Sequence, residues 1–278
     1  MNMLDSVALV KFEQNIERSL EEGIELIDGF KNLKSPILIK PNICTQEDKT
    51  GFAVSDIQVV ETLIKIILKE NQNHSIRIVE SDSMSKFADE AFSKFGYKDL
   101  EVKMQKTGYD VSLVNLTRSP TIETKFKGDY FEDSSFPDIL VDEKFFISLA
   151  VAKTHYLTFI TGTLKNLFGL LPRKDQSFYH PKINEVIVDL SRFIKPDLCI
   201  VDARVGLEGW NGPKTRPLNR FIMGTNPVST DAIMTRIMGF EPERAQHLVK
   251  ASEFKVGSLN PNVIGEKIET ARVQFNPP

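Results

Sequence analysis

The sequence predicts an α/β fold with a mostly parallel or mixed sheet covered by helices, and three observations carry that reading. Short apolar runs rich in Ile, Val and Phe alternate with longer segments whose apolar residues recur at helical spacing. Pro, Asn and Ser-Asp clusters punctuate the boundaries between them. Strand and helix alternate along the chain, which is the arrangement of a helix-covered parallel sheet. The 278 residues fit a single α/β unit or two closely packed lobes, 1–150 and 151–278, with the site between them.

Residues 7–12 read as a strand, and 16–30 as a helix with Ile16, Leu20, Ile24 and Ile27 on one face. Residues 36–40 form a buried strand stopped by Pro41 and Asn42. A helix over 55–69 follows, with Ser55 as its cap and Val59, Leu63, Ile66 and Ile67 on its apolar face. Residues 75–80 are the next strand, and Ser81, Asp82 and Ser83 supply caps for a helix running to Phe95. Between 111 and 136 the pattern loosens into short β segments and turns, consistent with an insertion or a small hairpin. Residues 144–151 are a continuous apolar strand leading to a short helix at 163–168. A helix at 183–193, a buried strand at 197–202 and a helix at 230–238 complete the pattern.

Composition narrows the function classes. With 41% hydrophobic and 26% charged residues the chain is expected to fold throughout. A formal net charge of −3 argues against general nucleic-acid binding, which needs a basic excess, and leaves room for a local basic pocket. Cys44 and Cys199 belong to no CxxC pair, so no iron–sulfur cluster or zinc ribbon can be built from them. Residues 1–5 lack a basic region followed by an apolar core, and no apolar run approaches the roughly 20 residues of a membrane span. These features predict a cytoplasmic protein with no nucleic-acid or membrane partner.

In parallel α/β sheets ligands bind beyond the carboxyl ends of the strands. Lys40 and Asn42, Glu80 and Asp82, Lys153 and His155, and Asp202 and Arg204 each follow a predicted strand at that edge. The stretch from Lys153 to His180 is the strongest candidate. His155 and His180 bracket Thr161, Thr163, Lys165 and Asn166, and imidazole beside lysine suits proton transfer or metal ligation next to an anion. As a zinc site the pair is weak, because no third ligand is evident. Lys153, Lys165, Arg173 and Lys174 concentrate positive charge in an acidic chain, favouring a carboxylate or phosphate ligand. There is no GxGxxG fingerprint and no Walker lysine loop. A third feature, residues 201–213, reads as a strand delivering Asp202 and then a loop with Gly206, Gly209 and Gly212 that offers Glu208 and Trp210, the sole tryptophan. Asp231 sits near a helix start, where a carboxylate serves equally well as a cap or dipole partner.

These residues resemble the family known as domain of unknown function 362. The matching motifs are Ile39-Lys-Pro-Asn42, Lys153-Thr-His155, Thr161-Gly-Thr-Leu-Lys-Asn-Leu-Phe-Gly-Leu-Leu-Pro172, His180, Val201-Asp-Ala, Leu207-Glu-Gly and Asn211-Gly-Pro213, with Asp231 and Met238-Gly239. Many relatives look like fusions to ferredoxin-type modules, which implies redox work; this chain lacks their cysteines, so electrons would come from a partner protein or a bound cofactor. More remotely, the order His155, Lys165, His180 resembles the cofactor region of nickel-pincer lactate racemases. That resemblance implies Lys165 as a cofactor anchor and His155 or His180 as a proton-transfer base.

The expectation is an enzyme of redox type that binds a small anionic substrate or cofactor at the strand ends. Lys40, Asn42, Lys153, Thr161, Lys165 and Asn166 would form the binding set. His155 and His180 would move protons or ligate a metal, and Asp202 and Glu208 would orient them. The cofactor is unassigned. A non-catalytic carrier of an anionic metabolite and an isomerase with an organometallic cofactor are the alternatives.

Overall fold

The computed structural model describes residues 6–278. Residues 1–5, read above for a targeting signal, lie outside the described residues. The strands are β1 (Ser6–Lys11), β2 (Ile37–Pro41), β3 (Ile76–Glu80), β4 (Val111–Asn115), β5 (Thr121–Glu123), β6 (Ser135–Pro137), β7 (Phe145–His155), β8 (Phe159–Thr161), β9 (Leu198–Glu208), β10 (Lys214–Gly224) and β11 (Asn262–Gly265). The helices are α1 (Ile16–Leu26), α2 (Ile57–Glu70), α3 (Ala88–Lys94), α4 (Tyr97–Lys106), α5 (Thr163–Asn166), α6 (Ile183–Phe193), α7 (Pro227–Ile237), α8 (Gln246–Glu253) and α9 (Ile268–Ala271).

A nine-stranded mixed sheet in the order β11-β1-β10-β9-β7-β2-β3-β4, with β8 folded back on β7, carries the fold; β5 and β6 pair separately. Strands β9, β7, β2, β3 and β4 run parallel, and β10 runs against both β9 and β1. Side chains alternate across the sheet, so Ile37 and Ile39 pack with α1 to α4 while Leu38 packs with α5 to α9. One continuous sheet therefore has the helices from 1–150 on one face and those from 151–278 on the other. All eleven residues of β7 are buried, as expected of a central strand covered on both faces. From β2 the chain moves outward to β3 and β4, then returns to the other side of β2 with β7 and β9. The strand order thus reverses between β2 and β7, and the loops leaving their carboxyl ends diverge around a crevice.

Several boundaries differ from the sequence expectation. Asp56, not Ser55, caps α2, accepting from the Gln58 N–H at 2.9 Å. Ser55 instead accepts from the Asn42 N–H at 2.9 Å and donates to the Leu149 carbonyl at 3.2 Å, tying the loop after β2 to β7. The helix after β3 starts at Ala88, and Asp82 reaches forward to accept the Ala88 N–H at 2.8 Å. The presumed glycine-rich loop after Asp202 is strand as far as Glu208, hairpinned to β10. Gly206 belongs to that strand, opposite Arg216, and the Phe275 ring lies 2.7 Å from where a Cβ would be. Strand β10 itself eludes the periodicity, since its first half is polar and largely exposed.

Helix α5 has only four residues, too few to persist on helical hydrogen bonds alone. Buried Asp231 of α7 holds its first turn, accepting from the Thr163 N–H at 2.7 Å, the Leu164 N–H at 2.8 Å and the Thr163 hydroxyl at 2.7 Å. Asp231 is therefore a cap, but of α5 rather than of its own helix. At the other end, the Asn166 amide donates to the Lys40 carbonyl at 2.9 Å and the Ser148 hydroxyl at 3.1 Å, fixing α5 to β2 and β7.

The close approach of Asp231 demands a glycine at 162, where a Cβ would lie 2.4 Å from the carboxylate. Gly162→Ala is expected to destabilise the fold by about 1–3 kcal/mol through overpacking, read as a lower denaturant midpoint at unchanged slope.

Candidate functional site

A cavity of about 260 Å³ opens at the reversal between β2 and β7. The loop after β2 contributes Asn42 and Cys44, and the end of β3 contributes Glu80 and, further on, Lys86. The end of β7 brings Lys153 and His155, α5 brings Lys165 and Asn166, and a 3-10 turn over Gln176–Lys182 brings His180. The tip of the β9–β10 hairpin adds Trp210. Lys153 and His155 are two residues apart on one strand and so share a face; β8 sets Thr161 directly across from Lys153.

Among the described residues, four lysines line the cavity (Lys40, Lys86, Lys153 and Lys165) against a single carboxylate, Glu80. Lys40 donates to Glu80 at 2.6 Å and to the Pro41 carbonyl at 2.7 Å, while Lys86 meets the other Glu80 oxygen at 3.2 Å. Burial pushes the Lys40 ammonium below its ordinary pKa; Glu80 opposes that shift and Lys86 reinforces it. Gly169 makes room for this pair, since a Cβ there would stand 2.9 Å from the Lys40 ammonium. Lys153 spends its three protons on the Ala53 carbonyl at 2.6 Å, the Trp210 carbonyl at 3.4 Å and the Cys44 sulfur at 3.4 Å. These bonds hold its side chain in place at the cavity wall. Lys165 differs from the other three. Among the described residues it makes no hydrogen bond or ion pair, and its ammonium has only the face of Phe168, at 5.4 Å. Burial lowers its pKa to about 8, with Cys44 opposing the shift and Lys153 and Lys40 reinforcing it.

The His155 ring is buried, and its Nδ1 accepts the Leu157 N–H at 3.1 Å. That bond places the proton of the neutral ring on Nε2. Burial first, then Lys165 and Lys153, lowers the pKa to about 2, so the ring is a neutral hydrogen-bond donor rather than a ready base. His180 is half-buried and stacks on Phe168 at 6.1 Å, and burial followed by Lys165 lowers its pKa too. Thr161 lines the cavity, and its hydroxyl oxygen is buried without a hydrogen-bond partner among the described residues. Among the described residues no three His, Cys, Asp or Glu side chains gather as a metal-ligating group.

Two predicted site residues lie elsewhere. Asp202 is engaged by Arg204 at 2.7 Å, which also holds Asp56 at 2.9 Å, and this cluster lines a second cavity of about 230 Å³. Glu208 ends β9 six residues further on, paired with Arg216 at 2.5 Å and with Asn276, and its pKa is lowered to about 2 by these partners against burial. Neither carboxylate reaches the histidines it was expected to orient, because β9 runs on past Asp202 as strand. Conversely, the sequence reading missed three residues. Lys86 and Cys44 line the cavity, and Ser81-Asp-Ser83 ahead of Lys86 was a strand-end signal that could have pointed to the first. The third, His247 of α8, is fully buried with neither ring nitrogen bonded among the described residues, and its pKa is lowered to about 3 by burial and Lys165. No spacing signal marks it.

A family model described as Domain of unknown function (DUF362) matches residues 37–236, which includes every cavity-lining residue named above. Among curated proteins, the thylakoid-associated protein sll1697 of Synechocystis sp. is 25% identical over 282 residues, covering 93% of this chain and 81% of the relative. Among solved structures, the lactate racemase apoprotein of Thermoanaerobacterium thermosaccharolyticum aligns with a TM-score of 0.46 at 13% identity. That alignment covers 88% of this chain and 56% of the racemase, so this chain spans little more than half of that protein's length. Among the described residues no helix is long and apolar enough to cross a membrane.

Buried neutral histidines set an acid limit on the fold. Their folded pKa values of about 2 and about 3 lie below the ordinary 6.5, so the unfolded chain binds more protons between these limits and stability falls as pH drops below 6.5. His247→Leu is expected to reduce the slope of unfolding free energy against pH by roughly 1.4 kcal/mol per unit between pH 4 and 6. Urea titrations of both proteins across that range measure it; an unchanged slope would mean that His247 is protonated in the folded state.

Proposed function

We propose that this chain, which belongs to the family described as Domain of unknown function (DUF362), is an enzyme that binds a small carboxylate- or phosphate-bearing molecule in the cavity at the β2–β7 reversal. The carrying observation is Lys165, an ammonium facing the cavity with no carboxylate partner among the described residues and a pKa lowered to about 8 by burial and by neighbouring cations. An anion entering there removes the repulsion among Lys165, Lys153 and Lys40 and gains charge-assisted hydrogen bonds from Lys165 and from the Nε2–H of His155. His180 is the proton-transfer group in this reading, because it lines the same cavity, is less buried than His155 and, among the described residues, has a ring free of a backbone bond. Two imidazoles beside the lysine that would hold the ligand favour catalysis over simple carriage. Redox character enters from the family resemblance, with electrons delivered by a partner protein or a bound cofactor.

The second reading, an isomerase with an organometallic cofactor, draws on the same set: Lys165 as anchor, with His155 and His180 beside it. Two imidazoles are too few for a protein-held ion, so such a cofactor would bring its own metal donors. Metal and a visible chromophore co-purifying with the protein would favour this reading; a colourless, metal-free protein that still binds anions would favour the first.

Trp210 is the only tryptophan and lines the cavity, so its fluorescence reports occupancy. Sulfate, whose charge is fixed across the working range, is expected to bind with constant affinity between about pH 7, where the cavity histidines are neutral, and about pH 8. Above that pH its affinity should fall by up to about tenfold per unit as free Lys165 loses its proton. Lys165→Met is expected to weaken binding by at least about tenfold and to flatten that pH profile. Binding indifferent to both pH and this substitution would sink the proposal.

A further inference from the structure

Three of the exposed large hydrophobic side chains converge on the mouth of this basic cavity, each from a different loop. Met84, 72% exposed, comes from the segment after β3; Tyr156, 66% exposed, from the turn between β7 and β8; Trp210, 36% exposed, from the tip of the β9–β10 hairpin. A single exposed hydrophobic residue needs no explanation, because folded surfaces carry many. Convergence is another matter, since these three are far apart in sequence and line one opening. The arrangement is also stiff at two points. Tyr156 stacks on His155 with ring centroids 5.0 Å apart and planes 11° from parallel, and the Trp210 carbonyl is held by Lys153. Neighbouring Asn211 donates to the Glu47 carbonyl at 2.7 Å, which pins the hairpin tip over the loop after β2.

A purely inorganic or highly hydrated anion would leave this rim in contact with water and gain nothing from it. We infer that the ligand of the cavity is amphiphilic: an anionic head reaching Lys165 and His155, joined to an apolar body that covers Met84, Tyr156 and Trp210. The inference rests on the anion-binding reading above and adds to it the class of molecule. Apolar surface removed from water at the rim supplies affinity that the charged floor alone does not, and Met84, with an unbranched and polarizable side chain, adapts to the shape of what it covers.

The test compares inorganic phosphate with hexyl phosphate, kept below its micellar concentration, by titration calorimetry on the full chain. The expected result is hexyl phosphate binding at least about tenfold more tightly, equivalent to ~1.4 kcal/mol. The ratio of the two affinities should collapse toward one in a Met84→Ser, Trp210→Ser double variant. Met84→Ser alone, at a mostly exposed position, keeps the test open if the double variant folds poorly, and should lower the ratio part of the way. Equal affinities in the unmodified protein, or a ratio untouched by Met84→Ser, would overturn this inference and leave the anion site standing. Failure of both phosphates to bind would bring down the anion site and this inference with it.

Discussion

The carboxylate of Asp231 is the contact on which the candidate site depends. A helix of four residues cannot hold its own direction, and three bonds to Asp231 at one end with two from Asn166 at the other fix α5 between β2, β7 and α7. Lys165 is the third residue of that helix, so the position of its ammonium in the cavity follows from a carboxylate 66 residues away in sequence. Burial raises the pKa of Asp231 to about 6 even though the bonds from Leu164 and Thr163 oppose it. The cap therefore works at full charge only above that value. Gly162 and Gly169 flank the helix for the same steric reason: the first admits the Asp231 carboxylate and the second admits the Lys40–Glu80 pair.

Around that helix the fold accumulates positive charge that it does not fully neutralise. Glu80 compensates Lys40 and Lys86, and backbone carbonyls with one sulfur absorb the protons of Lys153, but no carboxylate among the described residues pairs with Lys165. The consequence appears in four groups of the neighbourhood, since Lys165, His155, His180 and His247 all have lowered pKa values. Desolvation leads each shift, and mutual repulsion among the cations adds to it. Cations gathered in this way repel one another, and the anion proposed as ligand would relieve that repulsion. The sheet can bear that cost because the crevice lies at a chain reversal, where the backbones of β2 and β7 are already rigidly paired through five residues.

The second cavity shows the opposite arrangement. Arg204 is shared between Asp202 and Asp56 and lies over the Phe12 and Phe221 rings, so its charge is satisfied within the fold. Glu208 likewise ties the chain end at Asn276 to β9 and Arg216. Both carboxylates sit at strand positions where a ligand group was expected. What separates them from Lys165 is not residue type but whether the neighbours complete their bonding.

By itself the sequence determined the α/β class, the central strands and the stretch from Lys153 to His180, because apolar periodicity, turn residues and charge are local properties of the chain. Lys40, Asn42, Glu80, Lys153, His155, Thr161, Lys165, Asn166 and His180 were all legible as strand-end or motif residues, and all line one cavity. Tertiary structure alone decided which of them are free to meet a ligand. Lys153 and Lys165 look alike in sequence, yet one is saturated by Ala53, Trp210 and Cys44 and the other is open. Asp202 and Glu208 were drawn away because β9 continues past the sheet edge into a hairpin whose polar partner strand has no clear period. Lys86, Cys44 and His247 came into the neighbourhood through contacts between distant segments, which no local pattern records. Hydrogen-bond completion and burial are properties of packed neighbours, and those neighbours are chosen by the order of the strands.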